Sequence, residues 1–158
     1  MMKKSSYFFC CILIVSLLLS ACDKTRVMEE NQQITAYNWD YADGKTFTVD
    51  VTDTTQHYNV FVNVRHSFQF DWRNLWVKIK TTFPDGKNFE KRVNIVLSGP
   101  DGHWYASCLG DNCDYQAPIQ MNAIFPEKGK YSFTIEQDMR VNPLPKIKSI
   151  GMRVEKAQ

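Results

Sequence analysis

The residue with the most specific chemistry in this chain is Cys22, which closes the tetrapeptide Leu19-Ser20-Ala21-Cys22. That spelling is a lipobox, the site at which bacterial lipoprotein signal peptidase cuts. The cysteine thiol first accepts a diacylglyceryl group, and cleavage then frees its amine for further acylation. The residues ahead of it fit that chemistry. Lys3 and Lys4 give a basic start, and the apolar run from Tyr7 to Leu19 follows. The run falls short of the roughly 20 residues needed to cross the hydrocarbon core as a helix. A basic start, a short apolar stretch and small residues at its end describe an export signal that is removed. Residues 1–21 are therefore expected to be a lipoprotein signal peptide, with Cys22 the lipidated first residue of the mature chain. One acyl chain holds a protein only marginally, whereas two or three fix it to a membrane without a spanning helix. The expected location is a lipid-anchored position in the cell envelope, on the outer membrane facing the periplasm.

The other reactive side chains have weaker patterns. Cys10 and Cys11 leave with the leader, so only Cys108 and Cys113 remain besides the lipidated residue. In an oxidising compartment such a pair forms a disulfide, contributing roughly 2 kcal/mol for so short a loop. Two free thiols remain an alternative; a metal pair would need partners that the nearby sequence does not supply. His57, His66 and His103 have no metal-ligand spacing and read as surface or loop histidines. Asp101, Asp111 and Asp114 lack the Asp-x-Asp-x-Asp-Gly order of a calcium loop and read as turn residues. No Gly-x-Ser-x-Gly elbow is present. An enzyme, a metal site and a cofactor are not expected.

Four tryptophans, Trp39, Trp72, Trp76 and Trp104, give two readings. They form core and rim packing, or they stack on sugars as in a lipid-anchored carbohydrate-binding module. The first is favoured. Trp76 shares a strand face with Lys78 and Lys80, and Trp72 neighbours Arg73, so these two are candidates for a partner-binding surface, where tryptophan and arginine are enriched. The segment Gln137 to Pro145, with Arg140 at its centre and two prolines, reads as a crossover loop or as a stiff docking loop.

The elements that must position these residues are strands. Phe47, Val49 and Val51 alternate with polar neighbours, as do Tyr58, Val60, Val62 and Val64, and Leu75, Val77 and Ile79. Phe89, Val93, Ile95 and Leu97 continue the pattern, followed by Tyr131, Phe133 and Ile135, and by Ile150, Met152 and Val154. Shorter candidates lie at 103–108 and 119–125. Pro84-Asp85-Gly86 and Pro100-Asp101-Gly102 are turns. A tyrosine entering a strand after the Pro126–Gly129 turn is common where β-sandwiches turn a corner. The expected fold is all-β, a single Ig-like or jelly-roll-like sandwich of about seven or eight strands over residues 39–158, reached through a lipidated tether over 22–38. Of 19 basic residues, Lys3 and Lys4 leave with the leader, and the rest balance 17 acidic residues. That neutral surface argues against nucleic acid.

Several of these segments occur together, in order, in one family. Tyr58 through Arg65, Asn74-Leu75-Trp76, Pro100-Asp101-Gly102, Leu109-Gly110-Asp111, and Phe125-Pro126 through Gln137, continuing to Met139-Arg140 and Pro143-Leu144-Pro145, resemble the gliding motility lipoprotein GldH family. The likeness runs from the lipobox through nearly the whole mature chain. It implies a non-enzymatic envelope component of surface gliding in bacteria that also run type IX secretion, with other gliding or secretion proteins as partners. The family supplies no catalytic residues, and only Cys22 maps onto a defined role. The Cys108/Cys113 pair is not a fixed feature of the family.

Overall fold

A computed structural model describes residues 23–158; the leader and Cys22 lie outside the described residues. Numbered in chain order, eleven strands form three antiparallel sheets. The largest orders β1 (Arg26–Gln33), β11 (Ile147–Lys156), β4 (His57–Ser67), β8 (Asn112–Ile124) and β7 (Ser107–Leu109). The second orders β3 (Lys45–Val51), β9 (Gly129–Gln137), β5 (Asn74–Thr82) and β6 (Asn88–Val96). A two-residue pair, β2 (Asn38–Trp39) with β10 (Leu144–Pro145), makes the third. The fold is all-β as expected, but eleven strands in three sheets replace the expected single sandwich of seven or eight.

The alternation read from the sequence becomes burial directly. Phe47, Val49 and Val51 of β3, Val60, Val62 and Val64 of β4, and Leu75 and Val77 of β5 are buried in one cluster with Ile150, Met152 and Val154 of β11. Period-two side chains on a pleated strand point to opposite faces, so each run delivers one apolar face to that core. Tyr131 belongs to it, fully buried, edge-on to Phe125 and Phe83 with ring centroids 4.8 and 5.5 Å away. Its hydroxyl donates to the Glu127 carbonyl and accepts from the Glu127 amide. The Pro84-Asp85-Gly86 turn joins β5 to β6, with Gly86 at φ 84°.

The expected tether over 22–38 is corrected in its middle. Arg26–Gln33 is a strand, paired with β11 from Arg26↔Glu155 to Gln33↔Ser149. Its sequence, RVMEENQQ, has little apolar alternation because it is an edge strand with an open outer flank; its register comes from the partner. The chain is fixed even earlier. Arg153 donates to Asp23, Glu29 and Glu155 at 2.5, 3.0 and 2.6 Å. Burial works against the Arg153 charge, but the bonds to Glu155, Asp23 and Glu29 outweigh it and raise its pKa. Hydrogen bonds from Thr25 and Arg153 hold the Asp23 carboxyl well below the usual carboxylate range.

His66, read as a surface or loop histidine, is fully buried at the end of β4. Its ring lies 4.6 Å from that of Trp104, Nδ1 bonds the Ser67 carbonyl at 2.8 Å, and Nε2 has no hydrogen-bond partner. Burial lowers its pKa below the ordinary 6.5; the Ser67 bond and the charges of Asp114 and Asp111 oppose this, and Lys148 reinforces it. The folded ring refuses a proton that the unfolded chain accepts. Its contribution is therefore present above the unfolded value and is lost as pH falls from about 6.5 towards the folded value. Melting temperature should drop between about pH 7 and 5, and His66→Phe should flatten that slope, since the Ser67 carbonyl keeps its bond from Phe70. An unchanged slope in the variant would refute the assignment.

Candidate functional site

The half-buried Trp76 and the chain after β9 form the most organised part of the polar surface. Register sets Trp76 opposite Asn94 on β6 and Lys78 opposite Arg92. From there the Arg92 guanidinium lies over the Trp76 ring, 4.1 Å from its centroid. Such a cation–π contact is worth about 0.5–1 kcal/mol at an exposed position. Arg92 also donates to the Asp138 carboxylate, and Lys78 approaches the same group at 3.6 Å. The bond from Arg92 is the main cause of the lowered pKa of Asp138; burial opposes it, and the charges of Arg92 and Lys78 assist. Trp76 is thus capped by a cation rather than left open.

The segment 137–145 is sewn down at the same end of the molecule. Gln137, almost fully buried, donates to the carbonyls of Trp39 and Val141 and to the Asn142 side chain. Its side-chain oxygen, Oε1, accepts from the Met139 backbone amide. The Met139 sulfur receives the Trp76 amide at 3.3 Å, and Tyr41 donates its hydroxyl to the Met139 carbonyl. The Asn142-Pro143 peptide bond is cis. Leu144 is buried against Trp39 through the short β2–β10 pair. Arg140, Val141, Asn142 and Pro143 are exposed. A buried amide hub holds the backbone in one shape, with the Asn142 side chain bonded to Gln137, Tyr41 and Asp40, while Arg140 and Val141 stand exposed.

The remaining candidates are placed elsewhere. Trp39 is fully buried; Trp72 packs against the core beside Phe70 with ring centroids 5.2 Å apart. Trp104 lies over His66 and donates to the Phe68 carbonyl. Trp72, Trp76 and Trp104 are each half-buried, with Phe70, the Arg92 guanidinium and His66 packed against their rings. Cys108 and Cys113 face each other across the β7–β8 ladder, with S–S 2.01 Å. The turn between them carries Gly110 at φ 59°. Asp111 at that turn accepts from Lys148 and Ser67, and Asp114 pairs with Arg65. The carboxylates considered as calcium ligands are thus engaged by cations or hydroxyls, and Asp101 accepts the His103 amide. Among the described residues, no cluster of three His, Cys, Asp or Glu could hold a metal ion, and no helix is long and apolar enough to cross a membrane.

The sequence does not point to Arg92, and it marks Gln137 and Asp138 only as part of the segment Gln137 to Pro145, without a role for either. Only strand register brings Arg92 beside Trp76, and nothing local in Lys91-Arg92-Val93 signals it. Gln137 is a polar residue at an inward position of an alternating strand, which was the one available hint of a buried hub.

The chain matches the family of GldH lipoproteins over residues 26–154. It is 31% identical to a gliding motility lipoprotein GldH homolog of Christiangramia forsetii over 148 residues, which covers 89% of this chain and 90% of that one. It is 29% identical to the gliding motility lipoprotein GldH of Flavobacterium johnsoniae, covering 89% of this chain and 91% of the relative. No solved structure matches it significantly. The family match spans every strand of both larger sheets almost from end to end, including the Trp76 surface and the cis-proline loop, and so the chain belongs to the GldH lipoprotein family.

Proposed function

We propose that this protein is a non-enzymatic structural and interaction subunit of the bacterial gliding motility machinery, linked to type IX secretion and tethered to a membrane through acylated Cys22. On this reading residues 1–21 are removed on export, and the anchor lies in the outer membrane facing the periplasm. The two larger sheets act together as a sandwich over residues 39–158, with β1 added at its edge. The Cys108–Cys113 bond forms in the oxidising compartment that export reaches. Partners, other gliding or secretion proteins, dock on the surface around Trp76, Arg92 and Arg140, with the half-buried Trp72 at its margin. The observation that carries this reading is membership of the family from Arg26 to Val154, joined directly to a lipobox.

Tests of anchor and surface belong in a gliding host whose own relative has been deleted. Cys22→Ala should release the protein from washed membranes and abolish colony spreading. A photo-crosslinking residue placed at position 140 should capture envelope proteins, and Trp76→Ala with Arg140→Ala should weaken that capture. Full motility in the Cys22→Ala strain would refute the anchor. An empty crosslink, with motility intact in the double variant, would refute the docking surface.

A further inference from the structure

The strand registers sort the molecule into two ends. Lys156 donates its amide to the Thr25 carbonyl and pairs with Tyr58, which in turn pairs with Ala123. The first described residues, the start of β4 and the ends of β8 and β11 therefore lie together. Short connections at 52–56 and 125–128 bring the end of β3 and the start of β9 to the same place. The β5–β6 turn joins them, with Pro84 packed close over Gly129. All four tryptophans belong to the opposite end, on or beside the start of β5, the end of β4 and the β2–β10 pair.

At the first end an apolar cleft of about 350 Å³ opens between the unpaired flanks of β6 and β8. Phe83, Ile119, Phe125 and Phe133 line it, and Phe89 and Ile124 stand at its mouth, 57% and 59% exposed. Met121 is 51% exposed on the same stretch of β8. The volume lies within the usual range for a ligand site. The sequence leads one to expect Phe89 inside with Val93 and Ile95; the structure leaves it out because no strand covers that flank.

A guest strand is poorly served there. β8 carries Pro118, bulges around Val60 of its partner, and Asn122 at φ 53°; β6 sets Glu90, Lys91 and Arg92 along its length. Proline, bulges and charge are the devices that close an edge to further pairing. The Tyr131 hydroxyl, which lies on the cleft wall, is already occupied by Glu127. What remains is a slot with mainly apolar walls, in which Thr81, Lys91 and Gln120 are the polar lining, suited to a hydrocarbon chain.

The position of the anchor supplies the guest. Only residues 23–25 separate Cys22 from β1, and Arg153 pins Asp23 to the sheet. Four extended residues reach about 14 Å at most. On the reading that Cys22 is acylated, on which this step rests, the end carrying the cleft cannot leave the bilayer surface. We infer that this end of the domain rests on the membrane and that the cleft between β6 and β8 takes an acyl chain of a bilayer phospholipid.

The full lipidated protein, reconstituted in phosphatidylcholine vesicles with brominated acyl chains, tests this directly. The four native tryptophans at the far end should keep their emission. Phe89→Trp and Ile124→Trp, both at exposed positions that spare the core, should each add emission that the bromines largely remove. Val96→Trp, at the far end of β6, should add emission that persists. Unquenched emission from both cleft variants, with the protein still floating on the vesicles, overturns the acyl-chain assignment alone. So does equal quenching at Val96, or quenching replaced by a blue shift that grows with protein concentration, which would mark a second copy. Failure of the unmodified protein to float overturns the anchor, and with it the orientation.

Discussion

Gly151→Val should destabilise the protein by about 3 kcal/mol, at the upper end of what overpacking a close-packed site costs. Gly151 lies mid-way along β11, paired with Asn31 of β1 on one side and Asn63 of β4 on the other. A side chain there would begin 1.9 Å from the Asn31 amide oxygen and 2.6 Å from the Glu30 carbonyl oxygen. Those two contacts differ in kind. The Asn31 amide can swing away; the Glu30 carbonyl is backbone and moves only if β1 moves. Across the glycine, Asn63 donates to Asn31 at 3.2 Å and to Glu29 at 3.1 Å, while Gln116 donates to Asn63 at 3.0 Å. A row of amides thus crosses four strands, and the missing side chain makes it continuous. Even Gly151→Ala should lower the melting temperature and speed hydrogen exchange along Arg26–Gln33. Adding Asn31→Ala should recover only part of the loss. Complete recovery would show that the side chain, not the strand backbone, was the obstacle.

Tyr131 should give the largest loss from a single truncation. Replacing it with alanine removes a fully buried aromatic ring from between Phe83 and Phe125, and such changes cost about 3–5 kcal/mol. Tyr131→Phe separates the ring from the hydroxyl. It keeps the packing but strands the Glu127 amide and carbonyl, which are satisfied at 3.1 and 3.0 Å, so a loss of about 1–2 kcal/mol is expected. Urea titrations of both variants measure the two parts separately. A phenylalanine variant as stable as the parent would mean that water replaces the hydroxyl at no cost. An alanine variant losing no more than the phenylalanine one would remove the ring from the core of this account.

The strands whose pattern is set by one buried face were legible in the sequence. β3, β4, β5 and β9 each alternate cleanly, and their apolar sets are the ones found buried; β11 carries Ile150, Met152 and Val154 as read but is buried on both faces as far as Met152. The corner at Tyr131 was legible as well, because its turn residues sit next to it in the chain. Features that depend on register were not. β1 has polar residues on both faces and becomes a strand only because β11 presents an edge to it. Gly151 falls between Ile150 and Met152 in a run that reads as ordinary alternation; nothing local reports how near Glu30 comes. The Trp76 surface was half visible. Its tryptophan and lysines share one strand face, but the capping arginine and the carboxylate that holds it arrive from β6 and from the end of β9.

The strand order of the largest sheet also bears on when this protein can finish folding. β11, the last strand among the described residues, lies between β1, the first of them, and β4. A chain that enters the envelope amino-terminus first delivers β1 long before its sole partner in the sheet. Until Ile147–Lys156 follow, β1 has no ladder and β4 has one open flank. Pairing across the whole length of a chain is slow, because the loop must close before its contacts form. β11 must therefore arrive before the sheet can close, and a chain stopped short of it would hold one unpaired strand, β1, and one open flank, on β4. Unpaired edges of that kind invite capture by chaperones or aggregation. The closing strand thus makes assembly of the domain a check that every strand from β1 to β11 has arrived.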